Sequence, residues 1–116
     1  MKNKMPLKIV PKPWGKELWF AHTKKYLGKL LFIKKGHRLS LQYHKKKDES
    51  LYVLKGPIFL QIGKSEKKVK TGSNFHVPRN TLHRMHAKYV NSILIEVSTP
   101  ENEDVVRLED DYARVK

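Results

Sequence analysis

Apolar residues recur along this chain in short runs broken by Gly, Pro or Asn, and no 3.6-residue stripe appears before the C-terminus. The runs predict strands at Trp19–Ala21, Lys29–Lys34, Arg38–His44, Leu51–Leu54, Ile58–Ile62, Lys67–Lys70, Asn74–Val77, His83–Ala87 and Ser92–Ser98. Breaks fall at Gly36, Gly56-Pro57, Gly63, Gly72 and Pro78–Asn80. Short strands separated by tight turns are the pattern of an all-β sandwich or closed barrel. One domain over 1–116 is expected, with a core at about 14–100 and an acidic tail at 101–116. The segment from Glu101 to Arg114 reads as either a short helix or an extended arm.

Alternate side chains of a strand share a face. An unbroken strand from Arg38 to His44 would place Arg38, Ser40, Gln42 and His44 on one side and Leu39, Leu41 and Tyr43 on the other. An inward polar row is costly unless its members find partners. A divalent metal supplies one, taking an amide oxygen, an imidazole nitrogen and a carboxylate together. Glu49 follows the Lys45–Asp48 turn and can fold back towards Gln42 and His44. His83 begins a later strand after Pro78 and Asn80 reverse the chain, and Asn tolerates the left-handed conformation that such a turn favours. The expected metal ligands are therefore Gln42, His44, Glu49 and His83. Such a set suits Zn first, with Fe, Mn, Co or Ni as alternatives. With no thiolate and four protein ligands, it leaves positions for water or substrate. The competing reading makes His44 and His83 ordinary surface or core histidines, as expected for His22, His37, His76 and His86.

Charge sharpens this picture. The formal net charge is +14, and six of the 11 acids lie in the last sixteen residues. Residues 1–100 therefore carry 22 basic groups against five acidic ones, a field that attracts anions. Lysine is spread along the chain without a recognisable nucleic-acid module, so a solvated surface is expected rather than nucleic-acid binding. Apolar runs fall far short of the ~20 residues that cross a bilayer, and no secretory signal is visible. The absence of cysteine excludes disulfides and fits a cytoplasmic protein.

The stretch GHRLSLQYHKKKDESLYVLKG (36–56) and the stretch GSNFHVPRNTLH (72–83) resemble the paired motifs of the cupin superfamily. Gly36, His44, Glu49 and Gly56 match the first motif, with Gln42 in place of its first histidine. Gly72, Pro78 and His83 match the second, with Asn80 for its glycine and Ala87 for its final asparagine. RLSLQYH further resembles the RLSLQxH of type II phosphomannose isomerases, including the isomerase domain of bifunctional mannose-1-phosphate guanylyltransferases. KPWGKEL (12–18) is similar to that family's RPWG segment, and DVVRLEDDYAR (104–114) to its DIVRxEDxYGR. Lys45, Lys46 and Lys47 stand where the family has a His/Arg-rich run.

The resemblance implies a single-domain jelly-roll cupin in which Gln42, His44, Glu49 and His83 bind one divalent metal. It implies interconversion of mannose 6-phosphate and fructose 6-phosphate, and a homodimer; Trp14, Trp19 and Phe20 read either as lining such an interface or as ordinary core. It covers the isomerase domain only, so nucleotidyl transfer is not expected of these residues. Arg38 and Lys47 are the expected catalytic or phosphate-holding groups, with Arg84 ranked lower. The general base stays open among His76, Lys29 and a metal-bound hydroxide. Two other readings stand beside the isomerase: a non-catalytic sugar- or sugar-phosphate-binding metal cupin, and an iron-dependent dioxygenase, against which Gln42 and the basic charge argue.

Overall fold

Alternating burial converts the sequence pattern into two antiparallel sheets packed face to face. The computed structural model describes residues 3–101 and 104–114. Eleven strands run β1 Lys8–Lys12, β2 Gly15–His22, β3 Leu27–Ile33, β4 Leu41–His44, β5 Glu49–Lys55, β6 Ile58–Ile62, β7 Ser65–Val69, β8 Asn74–Val77, β9 His83–His86, β10 Ser92–Ser98 and β11 Val105–Glu109. A six-stranded sheet has the order β1-β2-β3-β10-β5-β8, and a five-stranded sheet the order β11-β4-β9-β6-β7. This is the jelly-roll sandwich. Among the described residues there is no helix, and none long and apolar enough to cross a membrane.

Each expected strand is present within a few residues of its expected bounds. Two further strands flank them. β1 extends the six-stranded sheet beside β2, and β11 pairs with β4, so the tail is a strand rather than a helix. The β-branched pair Val105-Val106 suits that pairing.

The unbroken strand expected over Arg38–His44 is corrected. Only Leu41–His44 belongs to β4, while Arg38 makes an isolated bridge to His86. Leu39, Ser40 and Leu41 are buried in succession, so alternation fails there and Arg38 loses the parity it would share with Gln42 and His44. Leu39 turns inward in its place.

The inner faces divide into an apolar and a polar end. Leu31, Ile33, Leu51, Val53 and Leu94 from the larger sheet meet Ile58, Leu60, Val69 and Met85 from the smaller one, with Trp14 and Leu39 packed among them. Trp14 is core rather than interface, being 2% exposed. Further along the same faces the inward positions become charged: Glu17 on β2, Lys29 on β3, Glu49 on β5 and Glu96 on β10, all buried. Lys29 stands directly across from Glu96 in the β3–β10 register. Burying carboxylates and ammonium groups in such numbers requires partners, and they find one another around a cavity.

Candidate metal centre and its cavity

Two neighbouring strands and one from the facing sheet deliver the central donors. β4 carries Gln42 and His44, β9 places His83 opposite Gln42 in register, and β5 opens with Glu49. The turn into β9 is set by Asn80, whose φ of 61° is left-handed and whose backbone N–H donates to the His44 carbonyl at 2.6 Å. The sequence expectation for Asn80 is thus met, and the bond ties the two histidine segments together.

One donor atom from each of His44, Glu49 and His83 lies within 4.8 Å of the others. His44 Nε2 is 3.6 Å from Glu49 Oε2, and His83 Nε2 is 3.6 Å from Glu49 Oε1. Ligands at ~2.1 Å from a tetrahedral ion would stand about 3.4 Å apart, so the spacing fits a metal with little adjustment. Each imidazole is fixed through its other nitrogen. His83 Nδ1 donates to the Thr81 carbonyl at 2.8 Å, and His44 Nδ1 to Asp104 Oδ1 at 3.1 Å. Both Nε2 lone pairs therefore point at Glu49, the outer-shell arrangement that orients metal-bound histidine. His83 Nε2 and Glu49 Oε2 are buried without a hydrogen-bond partner. Native interiors rarely leave such atoms alone, and a divalent ion would satisfy both.

Gln42 sits beside this group. Its Oε1 accepts from the Ser40 hydroxyl at 2.6 Å, and its Nε2 is 3.4 Å from His44 Nε2. Amide orientation follows the local network, and rotating this amide would turn its oxygen towards the histidine lone pair that a cation would share.

Lys47 is almost wholly buried, its ammonium 3.1 Å from Glu49 Oε2 and 2.6 Å from Glu96 Oε2. Both carboxylate oxygens thus face the ammonium at ion-pair distance, without an assigned hydrogen bond. Burial works against the ammonium, yet Glu96 and Glu49 outweigh it and raise its pKa. For Glu49, burial is outweighed by His83, Lys47 and His44, and its pKa falls. Glu96 goes the other way: burial, then Glu49, raise its pKa despite Lys47 and Lys29. His44 is lowered, chiefly by burial. The centre thus holds two acidic side chains around one ammonium, and His44 favours the neutral form that metal binding needs.

Gln42, His44, Lys47, Glu49 and Glu96 line a partly open cavity of about 60 Å³, together with Lys12, Trp14, Glu17, Lys29, Leu31, Leu39, Met85, Arg107 and Arg114. Lys29 is paired with Glu17 at 3.2 Å. Arg38 is not among the lining residues; its guanidinium makes a two-point bond to Asp111 at 2.7 and 2.8 Å. Arg84 is buried against the Leu39 carbonyl at 2.8 Å. His76 lies exposed, bonded to Asp48 at 2.5 Å, and does not line the cavity, whereas Lys29 does. Gln42, His44, Lys47, Glu49 and His83 are brought together, and Arg38 and His76 are not.

The sequence reading missed Asp104, Glu17, Glu96 and Arg107. Asp104 and Arg107 both lie in the DVVR segment it had singled out, and Glu17 in KPWGKEL. Glu96, in the run ILIEV, was marked only by being a lone acid among apolar neighbours.

The family model described as mannose-6-phosphate isomerase C-terminal matches residues 2–110. Mannose-1-phosphate guanylyltransferase ManC of Salmonella typhimurium is 32% identical over 110 residues, covering 91% of this chain and 23% of that protein. Mannose-1-phosphate guanylyltransferase 2 of Escherichia coli O157:H7 is 27% identical over 105 residues, covering 87% of this chain and 22% of that protein. The chain thus spans roughly a quarter of the length of these curated relatives. Among solved structures, an RmlC-like cupin from Shewanella frigidimarina aligns with a TM-score of 0.77 at 19% identity, covering 90% of this chain and 96% of that one. KdgF from Halomonas sp. aligns with a TM-score of 0.72 at 21% identity, covering 86% and 90%. At such identities the structural likeness shows the fold.

Proposed function

The chain belongs to the mannose-6-phosphate isomerase C-terminal family, built here on the cupin fold, and on that premise we propose a metal-dependent isomerase interconverting mannose 6-phosphate and fructose 6-phosphate. The observation that carries the reading is the convergence of His44 Nε2, His83 Nε2 and Glu49 on one point of a charged cavity, two of their atoms buried without hydrogen-bond partners. Gln42, His44, Glu49 and His83 would hold one divalent ion, with Zn as the first choice. When bound, it would supply Lewis-acid stabilisation of the oxyanion that develops as a proton moves between C1 and C2 of the sugar.

The remaining work falls to the chain itself. Asp104 and Thr81 hold the imidazoles in the binding tautomer. Lys47 holds Glu49 and Glu96 apart as a fixed pair of carboxylates, acting as a positioning residue. The substrate is a sugar phosphate, and the assembly a homodimer.

A second reading, sugar-phosphate binding without turnover, is favoured by the locked state of Lys47, which is held between two carboxylates and has no free role at a reacting atom. A coupled assay with mannose 6-phosphate separates the two, run on metal-loaded and EDTA-treated protein. Turnover lost on chelation and restored by metal supports the isomerase. Stoichiometric metal with no turnover transfers the proposal to the binding module.

A further inference from the structure

Two of the four edge strands of the sandwich, far apart in sequence, meet at one cavity. β1 is an edge of the six-stranded sheet and β11 an edge of the five-stranded sheet. From them Lys12 and Arg107 line the same cavity as the metal centre, joined by Arg114 just beyond β11. Both segments had stood out in the sequence, as KPWGKEL and DVVRLEDDYAR, without acquiring a task.

Their electrostatics are unlike those of the other cavity cations. Lys29 is neutralised by Glu17, Lys47 by Glu49 and Glu96, and Arg114 by Asp110 at 2.7 Å. Neither Lys12 nor Arg107 has an ion-pair partner among the described residues, and Arg107 Nε is buried with no hydrogen-bond acceptor. Burial depresses both pKa values and cationic neighbours add to it, against the opposing pull of Glu17 on both groups and of Asp110 on Arg107. Like charges held together in a half-buried setting are unfavourable unless an anion completes them. A guanidinium with an unoccupied N–H beside an ammonium is a suitable pair of donors for a tetrahedral oxyanion.

We propose that Lys12 and Arg107, with Arg114 beside them, form the subsite for the phosphate group of a phosphorylated sugar, in place of the Arg38 clamp expected from the sequence. The subsite rests on the sugar-phosphate reading of the metal centre for its ligand class. Arg38 is committed to Asp111 outside the cavity. Lys45 and Lys46 are exposed, and Lys47 is locked. The phosphate enters between the edge strands, and the sugar carbons lie towards His44 and Glu49.

The test is calorimetric titration of metal-loaded protein with mannose 6-phosphate, inorganic phosphate and unphosphorylated mannose. Wild-type protein should bind mannose 6-phosphate and phosphate, and mannose at least about tenfold more weakly. Lys12→Gln and Arg107→Gln should each weaken mannose 6-phosphate by about tenfold or more, the loss of one charged hydrogen bond, and leave mannose unchanged. Arg38→Gln and the charge-matched surface variant Lys68→Gln should bind like wild type. Should Arg107→Gln fail to fold by circular dichroism, Lys12→Gln on the edge strand carries the test.

Unchanged binding in Lys12→Gln, a loss confined to Arg38→Gln, or no wild-type preference for the phosphorylated sugar would overturn the subsite. Phosphate binding that depends on Lys12 without isomerase turnover defeats the isomerase reading alone. Turnover that is indifferent to Lys12 and Arg107 defeats the subsite alone.

Discussion

His44 Nδ1 lies 3.1 Å from Asp104 Oδ1, while the other carboxylate oxygen of Asp104 accepts the backbone N–H groups of Lys46 and Lys47 at 2.6 and 3.0 Å. One aspartate sixty residues downstream thus fixes both the tautomer of a candidate ligand and the turn that follows it. Burial opposes its charge, but these three donors prevail and lower its pKa.

Asp104→Asn should weaken zinc binding by ~10–100-fold, the usual cost of removing a partner of a metal-bound histidine, while the fold persists. Competition with a chromophoric chelator measures it. Unaltered affinity would show that Asp104 organises the turn and nothing more.

Removing the ammonium between two buried carboxylates leaves them facing each other. Lys47→Met should cost about 3–5 kcal/mol in urea unfolding of the metal-free protein, as breaking a buried ion pair does. Saturating zinc should recover part of that loss by offsetting the charge of Glu49. A variant as stable as wild type without metal would contradict the pairing.

Acid should destabilise the protein. Glu17, Asp104, Asp110 and Asp111 have folded pKa values below their ordinary ones: for the first three, positively charged or hydrogen-bonding partners outweigh burial, and for Asp111 the Arg38 bond leads. A carboxylate so shifted contributes stability above its unfolded pKa of about 4 and loses it as pH falls through the lower folded value. Glu96, with its raised pKa, works in the opposite sense and offsets one of them. The melting temperature should therefore fall steadily below pH ~4. A melting temperature flat from pH 5 to 2, by scanning calorimetry at fixed ionic strength, would refute the balance, and Asp111→Asn should blunt the fall.

Asn80→Gly should be neutral or slightly stabilising, since the left-handed φ of 61° costs glycine nothing. Asn80→Val should cost ~1–2 kcal/mol and loosen the bond from its N–H to the His44 carbonyl, lowering zinc affinity in the same titration. Equal stability of the two variants would mean that the turn relaxes without consequence.

Which parts of this protein were legible in the sequence follows from the range of the forces involved. Inward and outward alternation at Leu51–Leu54 and Ser92–Ser98 is local, fixed by the two-residue period of a strand, and the strands lie where it puts them. The spacing of Gln42, His44 and Glu49 about one turn is also short-range, whereas His83 reaches them through the β4–β9 pairing. The failure at Arg38 was local too, but invisible: burial of Leu39, Ser40 and Leu41 in succession breaks the parity, and only the inclusion of Leu39 in the apolar core makes that arrangement favourable.

The rest was decided by tertiary structure. Val105–Glu109 is compatible with a helix or a strand, and pairing with β4 selects the strand. That choice brings Asp104 to His44 and Arg107 opposite Gln42, and the β1 hairpin brings Lys12 to the same cavity. The sequence by itself determined a β sandwich, through the periodicity of its strands, and marked Gln42, His44, Glu49 and His83 as candidate donors, through their spacing and their likeness to a known motif. Which charges meet around them was settled by which strands lie on the sheet edges, because Coulombic and desolvation energies depend on distance in space and not along the chain.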